Sequence, residues 1–237
     1  MLFWGMYIDP LYLVLFLVTL VISGASQYYV RSTFGRWSQV ANSAGLSGVQ
    51  VGERLVAGQA FARHGGVGSG VTFKVVPGDL SDRFDPRTRE VGLSQEVAAR
   101  QSIAAMAVTA HEVGHAQQHA EGTFAMKARS ILVPAVTFSP IVSYLLIFMG
   151  LIFNLTGLFW LGIIVFGLMV VFTILTLPVE IGASRRALVM LRESGMLAGP
   201  QDEDGVRKVL TAAALTYVAA AVTAVLTLLY YISLARR

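Results

Sequence analysis

The sequence predicts a mostly α-helical, polytopic membrane protein with about four transmembrane helices and a small α+β domain at the membrane surface. Of the 237 residues, 55% are hydrophobic and only 14% are charged, whereas a soluble domain usually carries about 25% charged residues. The mean hydropathy is +0.64. Four apolar runs are long enough for helices that cross a bilayer, which takes about 20 residues, and two polar regions lie between them.

The apolar runs divide the chain into five regions. The runs cover residues 11–30, 131–153, 158–177 and 210–234. Only residues 154–157 separate the second run from the third, which predicts a tight helical hairpin. The predicted regions are a transmembrane helix over 1–30, an α+β region over 31–130, a transmembrane hairpin over 131–178, a helical segment over 179–209 and a transmembrane helix over 210–237.

Basic residues predict the side of the membrane that the two polar regions face. Two crossings separate 31–130 from 179–209, so both regions lie on one side, and most lysine and arginine near the helix ends is there. The positive-inside rule therefore predicts a multi-pass cell-membrane protein with both polar regions in the cytoplasm. The net charge of +4 does not indicate nucleic-acid binding, because the sequence has no basic stripe and no set of stacking aromatic residues.

The larger polar region begins with signals for a helix and a short sheet. Ser47 and Gln50 have the spacing of a capping box that opens a helix. Residues 71–76 alternate and are rich in β-branched side chains, which predicts a strand, and residues 90–93 predict a second short strand. Residues 82–88 are polar and contain an Asp-Pro pair, which predicts a turn.

The rest of this region predicts helices and one loop. Ser94 is expected to cap a helical stretch, and the alanine-rich residues 102–119 are expected to form one helix. The glycine-rich residues 63–70 are expected to form a loop. They lack the GxxxxGK[ST] pattern of a phosphate cradle.

An HExxH pattern lies on the predicted helix over 102–119. Residues four apart on an α-helix project from the same face, so His111 and His115 can both bind one tetrahedral zinc ion. Glu112 would then lie beside the metal, where it can act as a general base toward water. The alternative interpretation is a polar helix face on which Glu112 is an ordinary surface charge.

A catalytic zinc ion needs a third protein ligand. The sequence has no cysteine, so the ligand must be a histidine or a carboxylate. His119 is two turns beyond His111, about 12 Å along a straight helix, which is too far for both residues to bind the same ion. The longer pattern HExxHxxGxxH also fails, because Gln118 stands where a glycine is needed. His64 lies in the glycine-rich segment, and nothing in the sequence around it recommends it.

Glu180 is the remaining candidate for the third ligand. It follows the third apolar run, on the predicted side and near the membrane surface where HExxH is also expected. The alternative is an interfacial glutamate that pairs with Arg185 or Arg186.

Several segments together carry a family resemblance: 102–105 leading into 110–116, 80–82 with 85–86, 93–94, and 178–180 with 183–187. With these segments and its hydropathy layout, the chain resembles the bacterial membrane-bound neutral zinc metallopeptidases of the YugP type. It is similar to the wider gluzincin pattern, in which a downstream glutamate on a second helix completes the site. The resemblance implies a zincin-like catalytic domain, one zinc ion per chain, Glu112 as the catalytic residue and Glu180 as the third ligand.

The sequence departs from related patterns at a few positions. Ser184 stands where ExxxD membrane peptidases have an aspartate, and its hydroxyl could hold a ligand histidine by a hydrogen bond. Arg83 and Phe84 stand where the family is expected to have histidine and tyrosine. Arg83, Arg185, Arg186 and His119 are candidates for transition-state donors or supporting groups. Arg185 and Arg186 fit charges that set membrane topology better than they fit such donors.

The expected function is zinc-dependent hydrolysis of peptide bonds in membrane-associated or cytoplasmic-face proteins. The expected partners are the lipid bilayer and a protein or peptide substrate, to which the strand over 90–93 would offer its edge by β-augmentation. The sequence leaves open whether the protein forms a homo-oligomer or has another membrane partner. The alternative function is a non-catalytic membrane scaffold or adaptor that retains the zinc site. Metal transport is disfavoured, because the interiors of the four predicted spans contain no ionisable residue.

Overall fold

A computed structural model describes residues 9–63 and 70–236. The described residues form helices and three strands, which are, in chain order, α1 (Pro10–Ser38), α2 (Gly48–Ala57), α3 (Gln59–Phe61), β1 (Thr72–Val76), β2 (Arg83–Asp85), β3 (Glu90–Ser94), α4 (Gln95–Ala99), α5 (Ile103–Glu121), α6 (Phe124–Ile152), α7 (Thr156–Glu193) and α8 (Pro200–Ala235). His64 and most of the predicted glycine-rich loop lie outside the described residues.

The chain divides into two compact units. The first, called the helical unit, consists of Met1–Gln27, Arg129–Thr176 and Thr216–Arg237. The second, called the mixed unit, consists of Tyr28–Ala128 and Leu177–Leu215, and it contains the sheet.

Four long helices, α1, α6, α7 and α8, are long and apolar enough to cross a membrane. The prediction of a mostly helical chain is therefore confirmed, and four of the described helices are candidates for membrane spans. Each helix extends beyond its predicted apolar run. The largest difference is in α7, which continues through Pro178 to Glu193 as one helix. Residues 183–193 are mostly strong helix formers, so the helix continues where the hydropathy declines.

Within the helical unit, α6 and α7 join through a tight turn, as predicted. Asn154 adopts a left-handed conformation in this turn, with φ 53°, which asparagine tolerates better than most residues. A Cβ on Gly150 would lie 2.6 Å from the backbone nitrogen of Phe159. The glycine therefore permits the two helices to approach closely beside the turn.

The sheet of the mixed unit corrects two predictions. Its strand order is β1-β3-β2, with β3 parallel to β1 and antiparallel to β2. Residues 83–85, predicted as part of a turn, form strand β2. The sequence did not predict this strand, because three residues are too few to show periodicity. The predicted substrate edge on residues 90–93 is wrong, since β3 is the central strand and pairs on both sides. The edge strands are β1 and β2.

Two predicted helix caps have different outcomes. The capping box at the start of α2 is confirmed, because the Ser47 side chain accepts from the Gln50 backbone and the Gln50 side chain accepts from the Ser47 backbone. Ser94 occupies the position before α4 but makes no side-chain cap. Its backbone N–H and hydroxyl instead donate to the Asp82 carboxylate at 2.7 and 3.3 Å.

Helix α5 runs through the core of the mixed unit. The predicted helix over 102–119 is confirmed with small shifts of its ends: Ser102 caps it, and Gly122 ends it in the left-handed conformation with φ 62°. Its alanines pack in a cluster of buried residues with α2 and with the parts of α7 and α8 that belong to this unit. Small side chains let the other helices approach closely, so α5 is buried on nearly all sides.

Candidate metal centre

Three side chains from two helices converge at one point in the mixed unit. His111 and His115 project from α5, and Glu180 projects from α7. The Nε2 atoms of the two histidines lie 3.2 and 3.3 Å from the same carboxylate oxygen, Oε2 of Glu180. One ligand atom from each residue lies within 4.8 Å of the others. The fold thus brings together three residues of which the first and the last, His111 and Glu180, are 69 positions apart in the sequence. Their arrangement could hold a metal ion.

All three side chains and the intervening glutamate are buried. The exposed fraction is 9% for His111, 8% for Glu112, 7% for His115 and 1% for Glu180. These values do not fit a polar surface face with an ordinary glutamate. The two imidazole rings meet edge to face, with centroids 4.7 Å apart, as expected for residues one helical turn apart.

The three side chains meet because α5 and α7 pack in direct backbone contact. A Cβ on Gly114 would lie only 2.5 Å from the carbonyl oxygen of Ala183, so only glycine fits between the helices here. Gly114 lies next to His115 in the HExxH pattern, and Ala183 is three residues after Glu180. A residue with a side chain at 114 would separate the two helices that carry His111, His115 and Glu180.

Each histidine also has a partner for its second ring nitrogen. Nδ1 of His111 lies 3.2 Å from the hydroxyl oxygen of Ser184. Nδ1 of His115 lies 3.0 Å from the amide oxygen of Gln118. Partners of this kind orient a metal-binding imidazole so that Nε2 faces the metal. The structure thus places the Ser184 hydroxyl against one of the two histidines, while its supporting role stays a prediction.

The surroundings of Glu180 favour its charged form. Burial by itself raises the pKa of this carboxyl, but hydrogen bonds and charge interactions with His111 and His115 outweigh it and hold the pKa well below its ordinary range. Glu180 is therefore a carboxylate at neutral pH, which is the form that binds a metal.

The pKa of the Glu112 carboxyl shifts in the opposite direction, to a higher value. Burial, with smaller contributions from the charges of Glu180 and Asp82, raises its pKa to about 7, against the opposing effects of His111 and a hydrogen bond from the Phe84 backbone. A carboxyl with a pKa near neutrality can both accept and release a proton at neutral pH.

The remaining predicted candidates lie outside this three-residue cluster. His119 is half-buried, and its ring packs against Phe84 with centroids 5.8 Å apart. Arg83 and Arg185 are exposed, and the Arg83 guanidinium donates to the Ser81 carbonyl at 3.2 Å. Arg186 pairs with Glu121 at the end of α5 and so links α5 to α7 a second time.

Two contributors were not predicted from the sequence. Gln118 was considered only as a mismatch to a longer motif, although its position three residues after His115 places it on the same helix face. Asp82 was expected in a polar turn, but burial raises the pKa of its carboxyl and its charge acts on Glu112. The Gln118 contact could have been found from helical spacing, whereas the Asp82 contact depends on the unpredicted strand β2.

The residues fit a zinc ion by distance and by chemistry. A tetrahedral zinc with bonds of about 2.0–2.1 Å holds its ligand atoms about 3.3 Å apart. The two nitrogen–oxygen separations of 3.2 and 3.3 Å agree with this value. Two imidazoles and one carboxylate are also the ligand set of one class of catalytic zinc site, which leaves a fourth position open.

Comparison with known proteins identifies the family to which the chain belongs. A family described as "Putative neutral zinc metallopeptidase" matches residues 12–236. The chain belongs to this family. Among curated proteins, it is 38% identical over 222 residues to the "Putative membrane protease YugP" of Bacillus subtilis (strain 168). The match covers 94% of this chain and 95% of that relative. No solved structure matches the chain.

Proposed function

We propose that this protein is a zinc-dependent endopeptidase of the cell membrane, and that it hydrolyses peptide bonds in membrane-associated or cytoplasmic-face proteins. The observation that carries the proposal is the buried group of His111, His115 and Glu180 beside Glu112. Membership of the metallopeptidase family and similarity to a membrane protease support the same activity.

Zinc would be held by Nε2 of His111, Nε2 of His115 and the Glu180 carboxylate. When bound there, zinc would acidify a water molecule and polarise the carbonyl of the scissile peptide bond. The chain supplies the proton transfer. Glu112, with a pKa raised to about 7, takes a proton from the attacking water and later gives it to the amine that leaves.

Of the two edge strands, β2 is a better candidate than β1 for binding an extended substrate along its outer edge. Phe84 donates its backbone N–H to the Glu112 carboxylate. In an antiparallel strand, the N–H and C=O of one residue point to the same side, so the Phe84 carbonyl also faces away from β3. A substrate strand added at this edge would lie beside Glu112 and would present its peptide bonds there.

The decisive variant is Glu112→Gln, which removes the proton acceptor and leaves the three proposed ligands in place. Purified protein in detergent should keep its zinc, while casein hydrolysis falls by about 10²–10⁴-fold, the usual contribution of a general base. Glu53→Gln, an exposed carboxyl on α2, is the matched control and should cleave normally. Cleavage by Glu112→Gln at the wild-type rate would refute the proposed base. Wild-type protein that holds zinc but cleaves nothing would favour the scaffold function.

The cytoplasmic location of the mixed unit can be tested by single-cysteine labelling. The chain contains no cysteine, so an introduced cysteine is the only reactive thiol in it. A membrane-impermeant maleimide applied to intact cells should label Leu155→Cys in the α6–α7 turn but not Glu53→Cys in the mixed unit. The reverse pattern would place the proposed active site outside the cell.

A further inference from the structure

Two consecutive glutamines follow the HExxH residues on α5, and both are buried. The exposed fraction is 2% for Gln117 and 3% for Gln118. The side-chain nitrogen of Gln117 donates to the Ala60 carbonyl at 3.0 Å. The side-chain nitrogen of Gln118 donates to the Val179 carbonyl at 2.8 Å, and its amide oxygen lies 3.0 Å from Nδ1 of His115. The two side chains therefore resemble each other in burial and bonding, but only Gln118 contacts a proposed ligand.

The Val179 contact determines which way the Gln118 amide points. A backbone carbonyl can only accept, so the NH₂ group must face Val179 and the amide oxygen must face His115. The oxygen in turn accepts from Nδ1, which places a proton on that nitrogen of His115. In the neutral imidazole, Nε2 then carries the lone pair.

In this tautomer, the Nε2 atom of His115 has a lone pair and no proton, so it needs a cation as its partner. Nε2 lies 3.3 Å from the Glu180 carboxylate, which is also an acceptor. Two acceptors at this distance need a shared proton or a metal ion between them. Gln118 therefore prepares His115 for metal binding.

Gln118 acts on the second ligand helix as well. Its bond to Val179 ends one residue before Glu180, so one side chain orients His115 on α5 and holds the backbone next to Glu180 on α7. Space for it comes from Gly182, where a Cβ would lie 2.7 Å from the Gln118 side-chain nitrogen.

We propose that Gln118 is a positioning residue for zinc, which fixes the tautomer of His115 and sets the separation of His115 from Glu180. This inference rests on the proposed function, because it assumes that these residues bind zinc. Loss of such an outer partner typically weakens metal affinity by about 10–100-fold.

The test compares Gln118→Met, Gln118→Glu and Gln117→Met in the full-length protein. Zinc dissociation constants are measured by competition with a chelator, and the thermal unfolding temperature of each metal-free variant is measured in parallel. Gln118→Met should bind zinc about 10–100-fold more weakly than wild type. Gln117→Met, matched in burial and backbone bonding, should keep wild-type affinity even if it unfolds at a lower temperature.

Gln118→Glu separates the two contacts of the side chain. A carboxylate still accepts from Nδ1 of His115 but cannot donate to the Val179 carbonyl. Zinc affinity should therefore lie between those of Gln118→Met and wild type, because the contact with His115 is kept and the contact with Val179 is lost, while the unfolding temperature stays reduced.

Three results would overturn the inference. Wild-type affinity in Gln118→Met would show that the contact does not position a ligand, and the proposed function would survive if wild type still binds zinc and cleaves casein. Equal losses in Gln118→Met and Gln117→Met would show a general packing effect. A wild-type protein that binds no zinc would refute both the inference and the proposed function.

Discussion

Replacing Gly114 with alanine should separate the two ligand helices and weaken zinc binding more than it weakens the fold. The added Cβ would lie 2.5 Å from the Ala183 oxygen, whereas ordinary contacts begin near 3.4 Å. The helices must therefore separate by about 0.9 Å, the difference between the two values. Metal–ligand distances tolerate only about 0.2 Å, so Glu180 would move out of bonding range.

The change in folding free energy should be small, because two effects oppose each other. Overpacking costs about 1–3 kcal/mol, and alanine in place of glycine favours the helix by about 1 kcal/mol. The expected net destabilisation is about 0–2 kcal/mol. Zinc affinity should fall by at least about 100-fold, the upper end for loss of an outer partner, because a direct ligand is displaced.

The assay is a chelator-competition titration of zinc, with thermal or denaturant unfolding of the same metal-free samples. Gly35→Ala is the control, since it is also helical and nothing lies within 4 Å of a Cβ at that position. It should bind zinc like wild type and be slightly more stable. Zinc affinity within about threefold of wild type in Gly114→Ala, far less than the loss of a ligand would produce, would refute the argument that this contact sets the ligand spacing.

Three further outcomes are expected. Glu180→Ala should reduce the zinc content from about one ion per chain to near zero by elemental analysis, and full occupancy would exclude Glu180 as a ligand. Ser184→Asp should bind zinc about tenfold more tightly than wild type, because a carboxylate is a stronger acceptor for the His111 ring than a hydroxyl; equal or weaker affinity in the chelator assay would contradict this. Asp82→Asn removes a negative charge that raises the pKa of Glu112, so the acidic limb of the pH profile of kcat/KM should move to lower pH, and an unchanged limb would show that this charge does not act on the base.

The long helices and the HExxH helix could be predicted from the sequence because their signals are local and repeated. Apolar runs near 20 residues identify the four candidate membrane helices. Alanine-rich composition identifies α5, whose observed ends differ from the predicted ones by one or two residues. Spacing on that helix is enough to place His111 and His115 on one face.

The sheet and the supporting contacts could not be predicted in the same way. Strand β2 has three residues, of which Arg83 and Asp85 are charged, so neither alternation nor apolar content distinguishes it from a turn. Its pairing is what makes β3 a central strand and places the Phe84 amide next to Glu112. The approach of Gly114 to Ala183 likewise depends on packing between helices that are distant in sequence.

The role of Glu180 could be predicted only in part from the sequence. Its place after an apolar run predicts that it lies on the same side of the membrane as HExxH, but position alone left pairing with an arginine equally open. The observed partners are His111 and His115, while Arg186 pairs with Glu121. A family pattern could suggest this choice, but only the packing of α7 on α5 gives its physical basis.

The burial of α5 has a consequence for how the protein depends on zinc. Fifteen of its 19 residues are buried, and alanine loses no side-chain entropy when it is buried. The ligand helix is therefore held in place by apolar packing, unlike small domains that fold only when a metal binds. We therefore expect the proposed zinc ion to be lost and regained without unfolding, so that cellular zinc supply would determine how much of the folded protein is active and not how much protein is folded.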